Sequence, residues 1–184
     1  MAPTLSEDEI DDVIYLARIG DDDELNDVLT ALAERENVTQ AEILMAAKND
    51  AKSTALHMAS GNGHAETVRK LLLRFDGRPS EEKQAFVDEA NEHGNTGLHW
   101  AALGGHLETI KLLTEHGATP ALANESNYVP LDLANLNDKR EVAEFFLASA
   151  GMLESKNEES GLASAAESIE LDGDDDQRDQ AQAA

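Results

Sequence analysis

The chain has 184 residues and a formal net charge of −24, from 38 Asp and Glu against 14 Lys and Arg. Such a charge repels nucleic acid and anionic membranes and steers basic partners toward the chain. With 41% apolar but only 4% aromatic residues and no Cys, the composition suits one domain with a core rich in Leu and Ala. It excludes disulfides, thiolate nucleophiles and Cys-based metal sites.

Met1 to Glu9 carry neither a basic stretch nor an apolar run, so no secretory signal is expected. No stretch approaches the roughly 18 apolar residues of a membrane span. The expectation is an intracellular, soluble protein.

In chain order, residues 1–10 read as an acidic N-terminal segment. Ile14-Tyr15-Leu16-Ala17-Arg18-Ile19-Gly20 then predicts a short helix stopped by glycine, and Leu25, Val28, Leu29 and Leu32 the apolar stripe of a second. Thr39-Gln40-Ala41-Glu42 has capping-box spacing and opens a short segment from Ala41 to Ala47. Thr54-Ala55-Leu56-His57-Met58-Ala59, continuing to Asn62-Gly63-His64 and Glu66-Thr67-Val68, recurs 42 residues later as Thr96-Gly97-Leu98-His99-Trp100-Ala101, Gly104-Gly105-His106 and Glu108-Thr109-Ile110. A weaker copy, Val129-Pro130-Leu131-Asp132-Leu133-Ala134, comes 33 residues after the second. Between the two strong copies lies a loop from Arg74 to Pro79, and Ser80-Glu81-Glu82 starts another short helix carrying Phe86 and Val87. Both insertions are expected to extend the finger loops and add surface on one side.

These lines resemble the T-P-L-H-x-A-A-x-x-G-H pattern of the ankyrin repeat. Thr54 and Thr96 stand at helix caps. Gly63 and Gly105 end the first helix of each pair. Val68, Leu71, Leu72 and Ile110, Leu112, Leu113 line the second. One such pair cannot bury its own apolar face, so several must stack. The fold class implied is all-α, an ankyrin-repeat solenoid of about four helix-turn-helix repeats with finger loops, two of them carrying extra short helices. The repeats fall at about 11–37, 49–75, 91–120 and 124–149 within a domain spanning 11–153, with insertions at 38–48 and 76–90. The outer copies act as caps. In the last, Glu141 to Ser149 carries Val142, Phe145, Phe146 and Leu147 as its outer stripe. From 154 to 184 ten acidic residues face only Lys156 and Arg178, which reads as a disordered acidic tail.

Six histidines raise a metal hypothesis. His57 and His64, like His99 and His106, stand seven apart, two turns on an unbroken helix, but Gly63 and Gly105 break that helix. The repeat pattern assigns His57 and His99 to hydrogen bonds with finger backbone, and His64 and His106 to the start of the second helix. No metal or cofactor is expected. Gly61-Asn62-Gly63 and Gly104-Gly105 neither follow a strand nor precede a Lys-Ser/Thr pair, so they are turn glycines and not phosphate loops. No nucleophile is paired with a positioned base, and catalysis is not expected.

What remains is a concave surface of fingers and inner helices. The ankyrin pattern implies exposed positions at Asp50, Ala51, Ser53, Gly61 and Asn62, then Glu92, His93, Asn95, Leu103 and Gly104, then Glu125, Ser126, Tyr128, Leu136 and Asn137. None of these is Lys or Arg. Tyr128 is either an interface anchor or a finger residue packed on its neighbour. Trp100, the only Trp, either reaches the groove or packs between repeats, where Met58 and Leu133 take the same position. If it reaches the groove, Met58, Trp100 and Leu133 form an apolar strip flanked by Asp50, Glu92 and Glu125. That surface suits a basic amphipathic segment. The candidate partner-binding set is therefore Asp50, Met58, Asn62, Glu92, Asn95, Trp100, Leu103, Glu125, Tyr128, Leu133 and Leu136.

Beyond the repeat, the first strong copy with Arg69, then Lys83-Gln84-Ala85-Phe86-Val87 and Gly94-Asn95-Thr96-Gly97-Leu98-His99-Trp100-Ala101, resemble the fungal Yar-type ankyrin proteins. The likeness runs from about Asp11 to Leu147 and includes the insertion around Phe86 and the acidic tail. It implies a dedicated chaperone of the third small-subunit ribosomal protein, the basic one with a KH domain. Such an escort keeps its client soluble and travels with it between cytoplasm and nucleus during ribosome assembly, with no direct contact to nucleic acid or membrane. The alternative is an ankyrin-type signalling or transcriptional regulator that masks a partner's binding face.

Overall fold

The computed structural model describes residues 2–151, so the acidic tail expected over 154–184 lies outside the described residues. Ten helices and no strand occur among the described residues. Among the described residues, those up to Phe146 form one compact unit and those from Leu147 fall outside it. That unit carries the stacked helices and the fingers.

Eight helices make four pairs. They are α1 (Glu7–Ile19) with α2 (Asp22–Glu36), α4 (Ala55–Gly61) with α5 (Ala65–Leu73), α7 (Gly97–Gly104) with α8 (Leu107–Glu115), and α9 (Pro130–Leu136) with α10 (140–151). Between pairs lie α3 (Gln40–Ala46) and α6 (Ser80–Val87). The inner helices α1, α4, α7 and α9 pack in that order, and α5 packs on α8. Ala59, Ala101 and Ala134 are fully buried where inner helices meet, and their single methyl groups let the backbones approach closely. Val68, Leu71 and Leu72 on α5, with Ile110, Leu112 and Leu113 on α8, are buried as the sequence stripe requires. Each contributes on the order of 1.5–3 kcal/mol of burial free energy. In the last pair Val142 and Phe146 are buried, Phe145 is partly buried, and Leu147, expected with them, is exposed.

α1 begins at Glu7, ahead of the boundary drawn at residue 11. Ser6 caps it through a capping box with Glu9. The segment before it is tied down, since Thr4 donates to Glu36 and Arg35 reaches both Glu9 and the Thr4 carbonyl. The Arg35 hydrogen bond is the main influence holding the Glu9 carboxyl down to about 2.

The two insertions do more than enlarge fingers. Ile43 and Leu44 of α3 and Phe86 and Val87 of α6 belong to the core. Phe86 stacks on Phe75 with ring centroids 4.5 Å apart. Gln84 donates to the Gly117 carbonyl at 2.8 Å, and Asp88 accepts from the Thr119 backbone at 2.9 Å. α6 therefore clamps the end of repeat two to the exit of repeat three. Arg78, donating to Thr39 at 2.8 Å, links the two insertions.

Gly63 and Gly105 sit at φ +74° and +83°, in the left-handed region where a side chain is strained. Gly63 also lies directly beneath the next repeat, where an added Cβ would stand 2.5 Å from His106 Nδ1.

Candidate functional site

Each finger is a short turn organised by an asparagine five residues ahead of the inner-helix cap. Asn49 Oδ1 accepts from the Ser53 backbone at 2.9 Å. Asn91 Oδ1 accepts from His93 and Asn95, and Asn124 Oδ1 from Ser126 and Tyr128, all four at 3.0 Å. The fingers are then laced together. Glu92 N–H donates to Ala51 O at 2.9 Å, Glu125 N–H to His93 O at 3.0 Å, and Asn124 Nδ2 to Asn95 Oδ1 at 2.8 Å.

The histidines join this row to the inner helices. Thr54 N–H donates to His57 Nδ1 at 3.1 Å, closing the capping box, with the Thr54 hydroxyl 2.9 Å from the same nitrogen. Because Nδ1 accepts, Nε2 carries the proton and donates to Asn95 O at 2.8 Å. His99 repeats this between Thr96 N–H, at 3.2 Å, and Tyr128 O, at 3.1 Å. His64 Nε2 lies 2.9 Å from Arg18 O and His106 Nε2 3.0 Å from Gly61 O, each reaching back to the preceding inner helix. In repeat four Asp132 takes the His position and accepts from Val129 N–H at 3.0 Å.

Burial is the largest influence on His57 and His99, pushing both below the ordinary imidazole value of 6.5; the carbonyls of Asn95 and Tyr128 oppose it. Protonation would set an Nδ1–H against the Thr N–H, two donors face to face. The depressed folded values place the stabilisation above the unfolded value and remove it as pH falls below about 6.5 toward them. Thermal unfolding is therefore expected at a lower temperature at about pH 5 than at about pH 7.5. The part due to these rings should shrink in His99→Gln; an unchanged pH dependence there would contradict it.

All eleven residues of the predicted binding set are exposed or half-buried. Asp50, Glu92 and Glu125 stand exposed on three successive fingers. Met58, Trp100 and Leu133 are half-buried at equivalent places on α4, α7 and α9. Trp100 packs on the preceding repeat. Its six-membered ring covers Gly61, where an added Cβ would lie 2.8 Å from Cε3, and its indole N–H is buried with no acceptor among the described residues. Leu103, Tyr128 and Leu136 are 43%, 42% and 62% exposed. Asn62 and Asn95 are partly committed to the fold, Asn62 Nδ2 to Met58 O and Asn95 to its neighbours on both sides. Ser53, expected on the surface, is buried, because the finger closes over it.

Two features escaped the sequence reading. Tyr15, 57% exposed, extends the apolar strip into repeat one; aligning Gly20 with Gly63 puts it opposite Met58. Glu7 and Asp11 share a cavity of about 340 Å³ with Asp50 and Ala51 of the first finger. The early start of α1, signalled by Ser6 and Glu9, brings them there.

The model of the family described as "Ankyrin repeats (3 copies)" matches residues 24–124 and 79–159. The ankyrin repeat-containing protein YAR1 of Saccharomyces cerevisiae is 43% identical over 145 residues, 78% of this chain and 70% of that protein. An ankyrin repeat-containing protein of Schizosaccharomyces pombe is 31% identical over 139 residues, 76% of this chain and 84% of its own length. A solved structure, that of the yeast ribosomal protein Rps3 in complex with its chaperone Yar1, matches with a TM-score of 0.72 and 39% identity, covering 79% of this chain and 95% of that one.

Proposed function

The chain belongs to the ankyrin-repeat family, on its Yar-type branch, and from that we propose that it is a dedicated chaperone of the small-subunit ribosomal protein Rps3. The observation that carries this reading is the match, along most of both chains, to a chaperone held in complex with that client. The groove supplies a physical means. Carboxylates at Asp50, Glu92 and Glu125 and the strip of Met58, Trp100 and Leu133 suit a segment with one apolar face and several Lys or Arg residues. Asn62, Asn95, Leu103, Tyr128 and Leu136 complete the binding face.

The action is non-enzymatic and consists of reversible charge masking. Bound in the groove, a basic segment neither aggregates nor adheres to RNA, and assembly into the subunit competes it away. The escort accompanies its client in cytoplasm and nucleus.

The test is capture of Rps3 by the tagged full chain, first from cells and then with purified proteins across a salt series. Rps3 is expected in the capture. Affinity should fall at least about tenfold from about 0.1 M to 0.5 M salt, since exposed charge pairs separated by more than a Debye length of about 10 Å are already screened at 0.1 M and nearer pairs as salt rises. Recovery of a kinase or transcription factor without Rps3 would overturn the chaperone reading. A salt-independent affinity would overturn its electrostatic part.

A further inference from the structure

Neighbouring repeats are joined at two levels, inner helix to inner helix and outer helix to outer helix. The inner level is uniform, since α1, α4, α7 and α9 pack in turn on one another. The outer level is not. α5 packs directly on α8, with Ile110, Leu112 and Leu113 buried. α2 packs chiefly on α1 and α3, and its link to α5 is made by polar side chains. Thr67 Oγ1 and Lys70 Nζ donate to Asp22 at 2.7 and 2.9 Å, and Arg74 donates to Asn26 Oδ1 at 2.8 Å.

The repeats place different chemistry at the same positions. Aligning Gly63 with Gly105 sets Lys70 against Leu112 and Thr67 against Thr109, and aligning Gly20 with Gly63 sets Asp22 against Ala65. Leu112 is 3% exposed, whereas the side chains of Lys70 and Asp22 are 42% and 17% exposed. Thr109 is buried with its hydroxyl unpartnered among the described residues, so the second seam stays shut without polar help. At the first seam lies a cavity of about 450 Å³, lined by Ile19, Gly20, Asp21, Asp22, Asp23 and Lys70.

These differences set how easily each seam parts. A half-exposed ion pair contributes little, and water replaces each polar bond as it breaks. Parting α5 from α8 would instead expose hydrocarbon, for which water offers nothing in return. We propose that repeat one is a hinged end of the stack. α2 leaves α5 by exchanging the Asp22 and Asn26 bonds for water, with α1 pivoting on α4. Repeats two and three, joined by the apolar seam and clamped by α6, stay together. On the chaperone reading, this motion loosens the first repeat from a client and gives release a step that does not require unfolding.

Hydrogen exchange of the full chain, followed by mass spectrometry, tests the hinge. Amides of α2 are expected to exchange at least about tenfold faster than those of α5 and α8. Asp22→Ala with Lys70→Leu gives the first seam the residues of the second and leaves the net charge unchanged. It should slow exchange in α2 about tenfold and leave α8 as it was. Lys70→Ala, at a half-exposed position, should speed exchange in α2 alone. Simple fraying of a chain end would ignore these substitutions. Exchange in α2 no faster than in α5, no slowing in the double variant, or an equal effect of Lys70→Ala on α2, α5 and α8 would overturn the hinge. For the role in release, the preformed complex with Rps3 is chased with excess unlabelled client. The double variant should let go about threefold more slowly than the original; an unchanged rate would overturn that role. Failure of the unsubstituted chain to bind Rps3 would overturn the chaperone reading and leave the hinge, measured by exchange, standing.

Discussion

His57→Leu is expected to lower the unfolding free energy by about 2–5 kcal/mol, out of a total on the order of 5–15 kcal/mol for a domain of this kind. Leu approximates the volume of the buried ring, so the loss comes from polar groups left behind. Thr54 N–H loses its acceptor and Asn95 O its donor. Each such orphan costs about 1–3 kcal/mol. The position multiplies the effect, because the same ring ties α4 to the next finger, and a repeat stack is held by nearest-neighbour contacts. Urea unfolding followed by circular dichroism measures it. His106→Leu, which removes one bond to Gly61 O from a half-buried ring, serves as the comparison and should cost about 1 kcal/mol. Equal losses at the two positions would contradict the role given to His57.

Trp100→Ala is expected to weaken Rps3 binding by about 30-fold, near 2 kcal/mol, the range of a central aromatic anchor. The ring also packs on Gly61, so truncation costs some stability as well. Trp100→Leu separates the two effects. It installs the residue found at the equivalent place in repeat four, keeps the apolar strip continuous, and should restore stability while leaving affinity about tenfold below the original. Affinities measured on the folded fraction at one salt concentration decide the matter. An alanine variant that binds as tightly as the original would remove Trp100 from the interface.

The stacked pairs were legible in the sequence because their chemistry repeats at fixed distance. Thr54 with His57, and Thr96 with His99, announce the same cap, and Gly63 and Gly105 the same exit. The finger asparagines were equally regular, each five residues before a cap. They went unread because Asn is also an ordinary loop residue, and only the hydrogen bonds separate the two cases. The start of α1 was missed for a different reason: acidic residues suit both a solvated tail and the first turn of a helix, where the macrodipole favours them. Ser6 with Glu9 was the deciding signal. The insertions were expected at the surface because α6 reads as polar around Phe86 and Val87. Their burial depends on Phe75, which no local pattern connects to them.

Among the candidate site residues, the alternation of carboxylates and apolar groups followed from alignment of the repeats alone. The seating of Trp100 on Gly61 did not. Whether so large a side chain lies over its neighbour or stands clear of it depends on the absence of a Cβ at Gly61, a property of the preceding repeat rather than of the residue itself.

Asp132, where the two preceding repeats have histidine, changes what the position can do. An imidazole accepts on one nitrogen and donates from the other, so His57 and His99 each hand a proton on to a carbonyl of the following finger. A carboxylate accepts only. Asp132 satisfies its own helix cap and offers nothing to a further finger, whose carbonyl it would repel. The hydrogen-bond ladder that aligns the repeats thus ends at Asp132 among the described residues.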